Sequence, residues 1–231
     1  MKTIGIIGGM SWESSLEYYR IINEAVKARL GGYHSADCLM YSVDFHEIEA
    51  MQRADDWDAA GTALADAARR LERGGAEVII LATNTMHLVA NDIVEAVDVP
   101  FIHIADATAD AVRAAGVGNN VLLLGTRFTM EGDFIKRRMM RDGDIRVSVP
   151  IAEERTVIHD IIYDELVQGE IRDASRAAYL DVIRACTKRG AAGVIFGCTE
   201  IGLLVQQEHV PIPAFDTTRI HALAAVDFAL A

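Results

Sequence analysis

Two stretches of this chain decide its fold: VIILATNTMH, residues 78–87, and GVIFGCTEIG, residues 193–202. In each stretch a short run of apolar residues ends and polar residues follow at once. Uninterrupted apolar runs of this length are typical of parallel β-strands that are buried on both faces. When the two stretches are aligned, Thr83 takes the position of Cys198. A hydroxyl and a thiol are therefore expected at equivalent places in the fold.

The two stretches belong to a longer internal repeat. VPFIHIADATADAV, from residue 99, matches VPIPAFDTTRIHAL, from residue 210, and TIGIIGGMSW matches NVLLLGTRFT more loosely. Three matches in the same order predict two similar α/β lobes. The predicted first lobe comprises residues 1–98 plus 211–231, and the second comprises residues 99–210. The alternative is that apolar strands simply recur, as they do in every α/β protein.

Strands and helices are predicted to alternate along the whole chain, which indicates an α/β fold with parallel sheets. The predicted strands are residues 3–8, 37–43, 77–82, 100–104, 120–125, 145–149, 193–197 and 212–215. The predicted helices are residues 14–30, 56–73, 86–97, 106–115, 131–141, 154–168, 173–189 and 217–230. Residues 43–57 are interpreted as a meander without regular structure.

Composition excludes several classes of function. The chain has 231 residues, 51% of them hydrophobic, which suffices for one domain or two modest ones. A net charge of -12 argues against binding to nucleic acids or to anionic membranes. No apolar run reaches the roughly 20 residues of a membrane span, and the N-terminus lacks the pattern of a signal peptide. Three widely spaced cysteines predict a cytoplasmic protein without disulfides or a zinc site.

The chemistry is expected where strands end. Ligands of parallel α/β sheets bind outside the carboxyl ends of the strands, and Thr83 and Cys198 both stand at such ends. Two similar lobes would place the two side chains on opposite sides of one ligand, in a cleft between the lobes. One group could then remove a proton from one face of a carbon atom while the other protonates the opposite face. The competing interpretation of Cys198 is a small buried apolar residue.

Several neighbouring residues are candidates for substrate binding. GIIGGMSWES is rich in glycine but lacks the GxGxxG spacing of a dinucleotide site, so the signal for NAD is weak. Its glycines would instead let backbone N–H groups approach a ligand closely. Other strand-end residues could bind a carboxylate through hydroxyl, amide or backbone N–H groups. The candidates in these two groups are Met10, Ser11, Asn84, Thr85, Thr126 and Thr199.

Charged and polar residues close to these positions have two interpretations each. Glu200 could pair with a substrate ammonium group or act in general acid–base catalysis, or it could only stabilise the start of a helix. Gln52 and Arg53 could contact a substrate side chain. His87 could tune the site, or cap or pack a helix. The histidines show no spacing typical of a metal site, so no metal ligand is predicted.

Three motifs together resemble the aspartate/glutamate racemase superfamily: GIIGGMSWES near the start, ATNTMH at 82–87 and GCTEI at 197–201. The resemblance covers essentially the whole chain. It implies two Rossmann-like lobes with the site between them, catalysis without pyridoxal phosphate, metal or other cofactor, and a homodimer. It also implies that Thr83 and Cys198 are the catalytic pair that interconverts L- and D-amino acids.

The chain departs from the commonest pattern of that superfamily at Thr83, where cysteine is usual. In this respect it resembles a branch of broad-specificity amino-acid racemases, which leaves aspartate, glutamate or a wider set of substrates open. A hydroxyl is a far weaker acid than a thiol, so Cys198 would be the competent base. A maleate-isomerase-like or decarboxylase-like enzyme that uses the single Cys198 is an alternative, and so is a non-catalytic amino-acid-binding protein.

Overall fold

The structure is a computed structural model that describes residues 1–231. Seven β-strands alternate with eleven α-helices. The strands are β1 Ile4–Gly8, β2 Cys38–Ser42, β3 Val78–Leu81, β4 Asn120–Gly125, β5 Arg146–Ser148, β6 Gly193–Gly197 and β7 Ala214–Asp216. The helices are α1 Trp12–Leu30, α2 Phe45–Arg53, α3 Trp57–Arg73, α4 Ala90–Ala96, α5 Ile104–Ala115, α6 Arg127–Glu131, α7 Phe134–Met139, α8 Ala152–Asp164, α9 Asp173–Lys188, α10 Ile201–Leu204 and α11 Thr217–Leu230. Short 3-10 helices cover Thr85–Val89, Leu166–Gln168 and Gln207–His209.

The strands form two parallel sheets whose orders match. The first sheet has the order β2-β1-β3, and a single parallel bridge joins Ile79 of β3 to Phe101. The second has the order β5-β4-β6-β7, again with every neighbouring pair parallel. In both sheets the first strand of the unit lies between the second and the third. The predicted α/β fold with parallel sheets is confirmed, and the internal repeat appears as a repeated strand order.

The chain divides into two compact units. One comprises Met1–Ile104 with Thr218–Ala231, and the other comprises Ala105–Thr217. The boundaries of these units differ from those of the predicted lobes by a few residues, at both places where the chain passes from one unit to the other. Phe101 bridges to the first sheet and β7 pairs with the second, so each sheet keeps the last extended segment of its own repeat. The chain passes from one unit to the other at the helix that follows each of these segments.

The core of the first unit follows directly from the alternation of side chains along its strands. In β3, Ile79 and Leu81 contact the cluster formed with α3, while Val78 and Ile80 face the cluster formed with α1 and α11. All four side chains are fully buried. Both faces of the strand are thus covered by helices, which explains why its sequence is apolar throughout rather than alternating.

The core of the second unit is one cluster beside the second sheet. Leu122 and Leu124 of β4 and Val194 and Phe196 of β6 pack there against α8 and α9. The ring of Tyr179 on α9 is fully buried in this cluster. Removing a large apolar side chain from such a core destabilises a protein by about 2–5 kcal/mol, so this packing contributes strongly to the stability of the unit.

Four local predictions need correction. Residues 100–104 form only the bridge at Phe101, because α5 already begins at Ile104. The predicted meander contains the regular helix α2, whose first turn is capped by the Asp44 carboxylate accepting from the His46 N–H. The predicted helix 86–97 starts as a 3-10 helix, and the predicted helix 131–141 is two short helices because the chain turns to an extended conformation at Gly132.

No helix of the structure is both long enough and apolar enough to cross a bilayer.

Candidate active site

The loop after β1 is built around a glycine. Gly9 has φ of +96°, and a Cβ at this position would lie 2.2 Å from the carbonyl oxygen of Val43. Only glycine therefore fits without displacing the backbone. The Gly9 N–H donates to Ser15 Oγ at 2.7 Å, and this hydroxyl donates to the Ser11 carbonyl at 3.0 Å. The loop from β1 into α1 is thus closed by side chains of the helix that it leads into.

Met10 and Ser11, predicted to offer backbone N–H groups to a ligand, lie buried in this loop. Ser11 is also the N-cap residue of α1, since its hydroxyl accepts from the Ser14 N–H at 3.2 Å. Capping satisfies one of the N–H groups that a helix start leaves without a partner. A ligand-binding role for both residues remains a prediction.

The backbone that follows β3 is held by two side chains. The Ser14 hydroxyl donates to the Ala82 carbonyl at 3.0 Å, and His87 Nδ1 contacts the Thr83 carbonyl at 2.7 Å. The side chains of Thr83, Asn84 and Thr85 are buried at this strand end. The peptide groups before and after Thr83 are therefore both held, which fixes the backbone from which the Thr83 side chain projects.

Gln52 and Arg53 end α2 and point to different surroundings. Gln52 is buried, and its amide donates to the sulfur of Met86, which lies three residues after Thr83. Arg53 lies on the exposed side of the helix and pairs with Glu49 at 2.9 Å. Gln52 therefore belongs to the same strand-end region as Thr83, whereas Arg53 is engaged in a solvent-exposed ion pair.

In the second unit, two strand ends lie side by side. Gly125 of β4 and Gly197 of β6 are register partners, and Thr126 and Cys198 follow them directly. A Cβ on Gly125 would lie 2.8 Å from the carbonyl oxygen of Gly197, so side chains larger than hydrogen do not fit here. The Thr126 hydroxyl is buried and caps α6 by accepting from the Thr129 N–H at 3.3 Å.

Cys198, Thr199 and Glu200 form a small hydrogen-bonded group. The Cys198 thiol donates to Glu200 Oε2 at 2.9 Å, and the Thr199 hydroxyl donates to the same oxygen at 2.6 Å. Glu200 is buried, and Cys198 is partly buried. One carboxylate oxygen thus accepts from two neighbouring side chains, which sets the direction in which the thiol proton points.

This environment raises the pKa of Cys198 well above its ordinary value. Burial is the largest cause, and the charge of the Glu200 carboxylate and its hydrogen bond add to it; the backbone N–H groups of Thr199 and Glu200 act in the opposite direction. A helix start beside a cysteine ordinarily favours the thiolate. In the structure α10 begins only at Ile201 and has a single turn, so the carboxylate outweighs the backbone groups.

The sequence did not reveal several hydrogen-bonding side chains of the unit that contains Thr83. Ser14 and Ser15 hold the loop and strand end, and their position in the SWESS segment at a helix start could have indicated this. Tyr18 and His221 form a buried hydrogen bond at 2.9 Å although they are 203 residues apart. No local pattern could have indicated that contact.

The side chains at these strand ends are suited to proton transfer. A thiol with a carboxylate partner can act as an acid or a base, and a hydroxyl at the equivalent strand end can pass on a proton. The structure contains no group of three or more His, Cys, Asp or Glu side chains placed to hold a metal ion.

The two α/β units with parallel sheets, together with matches to a racemase family model and to a curated racemase, place this protein in the racemase class of isomerases. More specifically, the chain belongs to the Asp/Glu/Hydantoin racemase family, which it matches over residues 7–225.

Three similar proteins cover essentially the whole chain. A crystal structure of a candidate Asp/Glu racemase from Yersinia pestis is 51% identical, with full coverage of both chains and a TM-score of 0.93. An aspartate racemase homologue from Pyrococcus horikoshii OT3 is 36% identical, again with full coverage of both chains and a TM-score of 0.87. The broad specificity amino-acid racemase RacX of Bacillus subtilis (strain 168) is 22% identical over 99% of this chain and 98% of its own.

Proposed function

We propose that this protein racemises an amino acid without pyridoxal phosphate or a metal ion, by proton transfer at the α-carbon. Cys198 works on one face of that carbon and Thr83 on the opposite face. The observation that carries the proposal is the hydrogen-bonded group at Cys198, placed at the strand end that corresponds to Thr83. Aspartate and glutamate are the first substrates to test, and a broader set comes next, in keeping with the relatives named above.

Glu200 has a defined part in this proposal. Before substrate binds, burial and then the Glu200 carboxylate keep the proton on Cys198, because a buried thiolate is poorly solvated and would lie beside a second negative charge. A substrate α-ammonium group near Glu200 would offset one of these charges. Substrate binding would therefore lower the pKa of Cys198 and release the thiolate at the moment when an α-proton is available.

Thr83 has the complementary part. A threonine hydroxyl is almost never ionised at neutral pH, so it is a poor base but can donate a proton to a carbanion. Cys198 thus abstracts the proton from one enantiomer and then releases it to solvent, while Thr83 donates a proton on the other face and regains one from water. Because enantiomers have equal free energy, kcat/KM must be equal in the two directions, although turnover at saturation can differ.

The substrate carboxylate would be bound by the polar groups that flank the pair. Asn84 and Thr85 follow Thr83 directly, Thr199 follows Cys198, and Thr126 lies beside Cys198 at the neighbouring strand end. Amide and hydroxyl groups of this kind donate hydrogen bonds to a carboxylate. Met10, Ser11 and Gln52 complete the proposed substrate-binding set.

The test is proton NMR in D2O with the separate L and D enantiomers of aspartate and glutamate, without added cofactor. We expect loss of the α-proton signal and formation of the opposite enantiomer, both abolished by Cys198→Ala. Circular dichroism or unfolding of the variant would show that it is folded. No exchange across these substrates and a wider amino-acid panel would refute the proposal and favour a maleate isomerase, a decarboxylase or an amino-acid-binding protein.

A further inference from the structure

The ring of His87 is held by a hydrogen bond at each nitrogen. Nδ1 lies 2.7 Å from the carbonyl oxygen of Thr83, and the backbone N–H of Ile104 donates to Nε2 at 3.2 Å. A carbonyl can only accept, so Nδ1 must carry the proton, and an amide N–H can only donate, so Nε2 must be unprotonated. The neutral Nδ1–H tautomer is therefore the one that satisfies both contacts.

His87 connects two elements that are distant in sequence. Ile104 is the first residue of α5, and a helix start leaves its first N–H groups without partners inside the helix. His87 Nε2 accepts from one of these groups while Nδ1–H binds the residue after β3. The ring thus links the carboxyl end of β3 to the start of α5.

The surroundings prevent this ring from turning. His87 is 2% exposed, and its ring centroid lies 4.5 Å from that of His103 and 5.7 Å from those of Phe101 and His221. A rotated ring would lose one or both hydrogen bonds inside the protein, where an unsatisfied polar group is costly. The His87 contact with the Thr83 carbonyl is therefore a fixed part of the strand end.

We infer that His87 is a positioning residue, which orients Thr83 and thereby sets how often deprotonated substrate is inverted rather than returned to its starting enantiomer. The inference rests on the proposed function, in which Thr83 protonates one face. His87 contacts Thr83 through its main-chain carbonyl. It holds the Thr83 carbonyl, and Ser14 holds the preceding carbonyl of Ala82, so the backbone from which the hydroxyl projects is held on both sides.

The chemical consequence is specific to one face. Cys198 removes the α-proton, and its thiol can exchange that proton with solvent. The carbanion then receives a hydrogen either from Cys198, which regenerates the starting enantiomer, or from Thr83, which inverts it. A shift of the Thr83 backbone weakens only the second route. Displacements of about 1 Å can lower the rate of a step up to about 100-fold, so inversion should fall while exchange catalysed by Cys198 continues.

The experiment measures this partition in D2O with the enantiomer that Cys198 deprotonates. Two initial rates are compared: formation of the opposite enantiomer, and incorporation of deuterium into the starting one. In His87→Leu we expect the ratio of inversion to exchange with retention to fall about tenfold or more. In His87→Asn, whose amide supplies an N–H donor near the place of Nδ1, we expect most of the ratio to be restored.

His221→Leu is the matched control, because His221 is buried in the same group of rings but bonds Tyr18 and Ile102 rather than Thr83. It should lose stability and keep the wild-type ratio. An unchanged ratio in His87→Leu, or equal changes in the His87 and His221 variants, would overturn the inference. Failure of the proposed function would be seen separately, as the absence of exchange that depends on Cys198 in the wild-type protein.

Discussion

Mild acid should destabilise the protein through His221, which lies on α11 and is buried against α1. Its ring is fully buried, Nδ1 accepts from the Tyr18 hydroxyl at 2.9 Å, and Nε2 donates to the Ile102 carbonyl at 2.8 Å. Burial lowers the pKa of His221 to about 4, from an ordinary value near 6.5. The folded protein therefore keeps this ring neutral at pH values where the unfolded chain would protonate it.

The size of the effect follows from that difference. Between pH 6.5 and about 4 the unfolded chain binds one more proton at His221 than the folded protein does. The free energy of unfolding then falls by about 1.4 kcal/mol per pH unit as the pH decreases. Over the whole window the loss from this one group is about 3 kcal/mol, a sizeable part of the 5–15 kcal/mol that is typical of folded domains. Above pH 6.5 the contribution of the neutral His221 ring to stability is fully present.

The assay is urea unfolding at several pH values from 6.5 to 4.5, for the wild-type protein and for His221→Gln. Carboxylates titrate in both proteins, so their contribution to the pH dependence cancels in the comparison. The wild-type slope should exceed that of the variant by about 1.4 kcal/mol per pH unit. Equal slopes would refute the reasoning, because they would mean that His221 binds its proton equally well in the folded and unfolded states.

Three further outcomes are expected. Burial and then the Glu200 carboxylate raise the pKa of Cys198, so Glu200→Gln should lower that pKa and move the pH profile of iodoacetamide alkylation to lower pH; an unchanged profile would contradict this. Gly9→Ala should lower the free energy of unfolding by at least about 2 kcal/mol, because of its positive φ and the close backbone oxygen, and clearly more than Gly31→Ala, which faces open space. Thr126→Ala should lose about 1 kcal/mol of stability as a helix cap, and Thr126→Ser should retain it.

The apolar runs in the sequence were sufficient to predict most of the strands that form the two sheets. Val78–Leu81 and Gly193–Gly197 are buried strands as expected, because helices on both faces of a parallel sheet leave no position for a polar side chain. The helix α2 was missed although Asp44 caps it and Ile48 and Gln52 share its buried face. The helix is only nine residues long, and its acidic and exposed residues obscured the helical pattern of its apolar positions.

The strand-end positions of the two candidate residues were predictable from the sequence, but the electrostatics around them were not. Thr83 and Cys198 could be placed at equivalent strand ends from the repeat alone. The direction of the Cys198 pKa depends on the orientation of the Glu200 side chain and on burial, and neither is written in local sequence. The contact of His87 with Ile104 spans 17 residues, and the contact of Tyr18 with His221 spans 203, so both follow from the packed unit rather than from a motif.

The most direct test of the central claim is the stereochemistry of α-proton exchange in Thr83→Ala. With the enantiomer that Cys198 deprotonates, the variant should still incorporate deuterium from D2O but return the starting enantiomer, and Thr83→Ser should restore inversion. With the opposite enantiomer, exchange should be lost, because Cys198 does not face its α-proton. Racemisation by Thr83→Ala at the wild-type rate would contradict the account, since inversion would then not depend on the Thr83 hydroxyl.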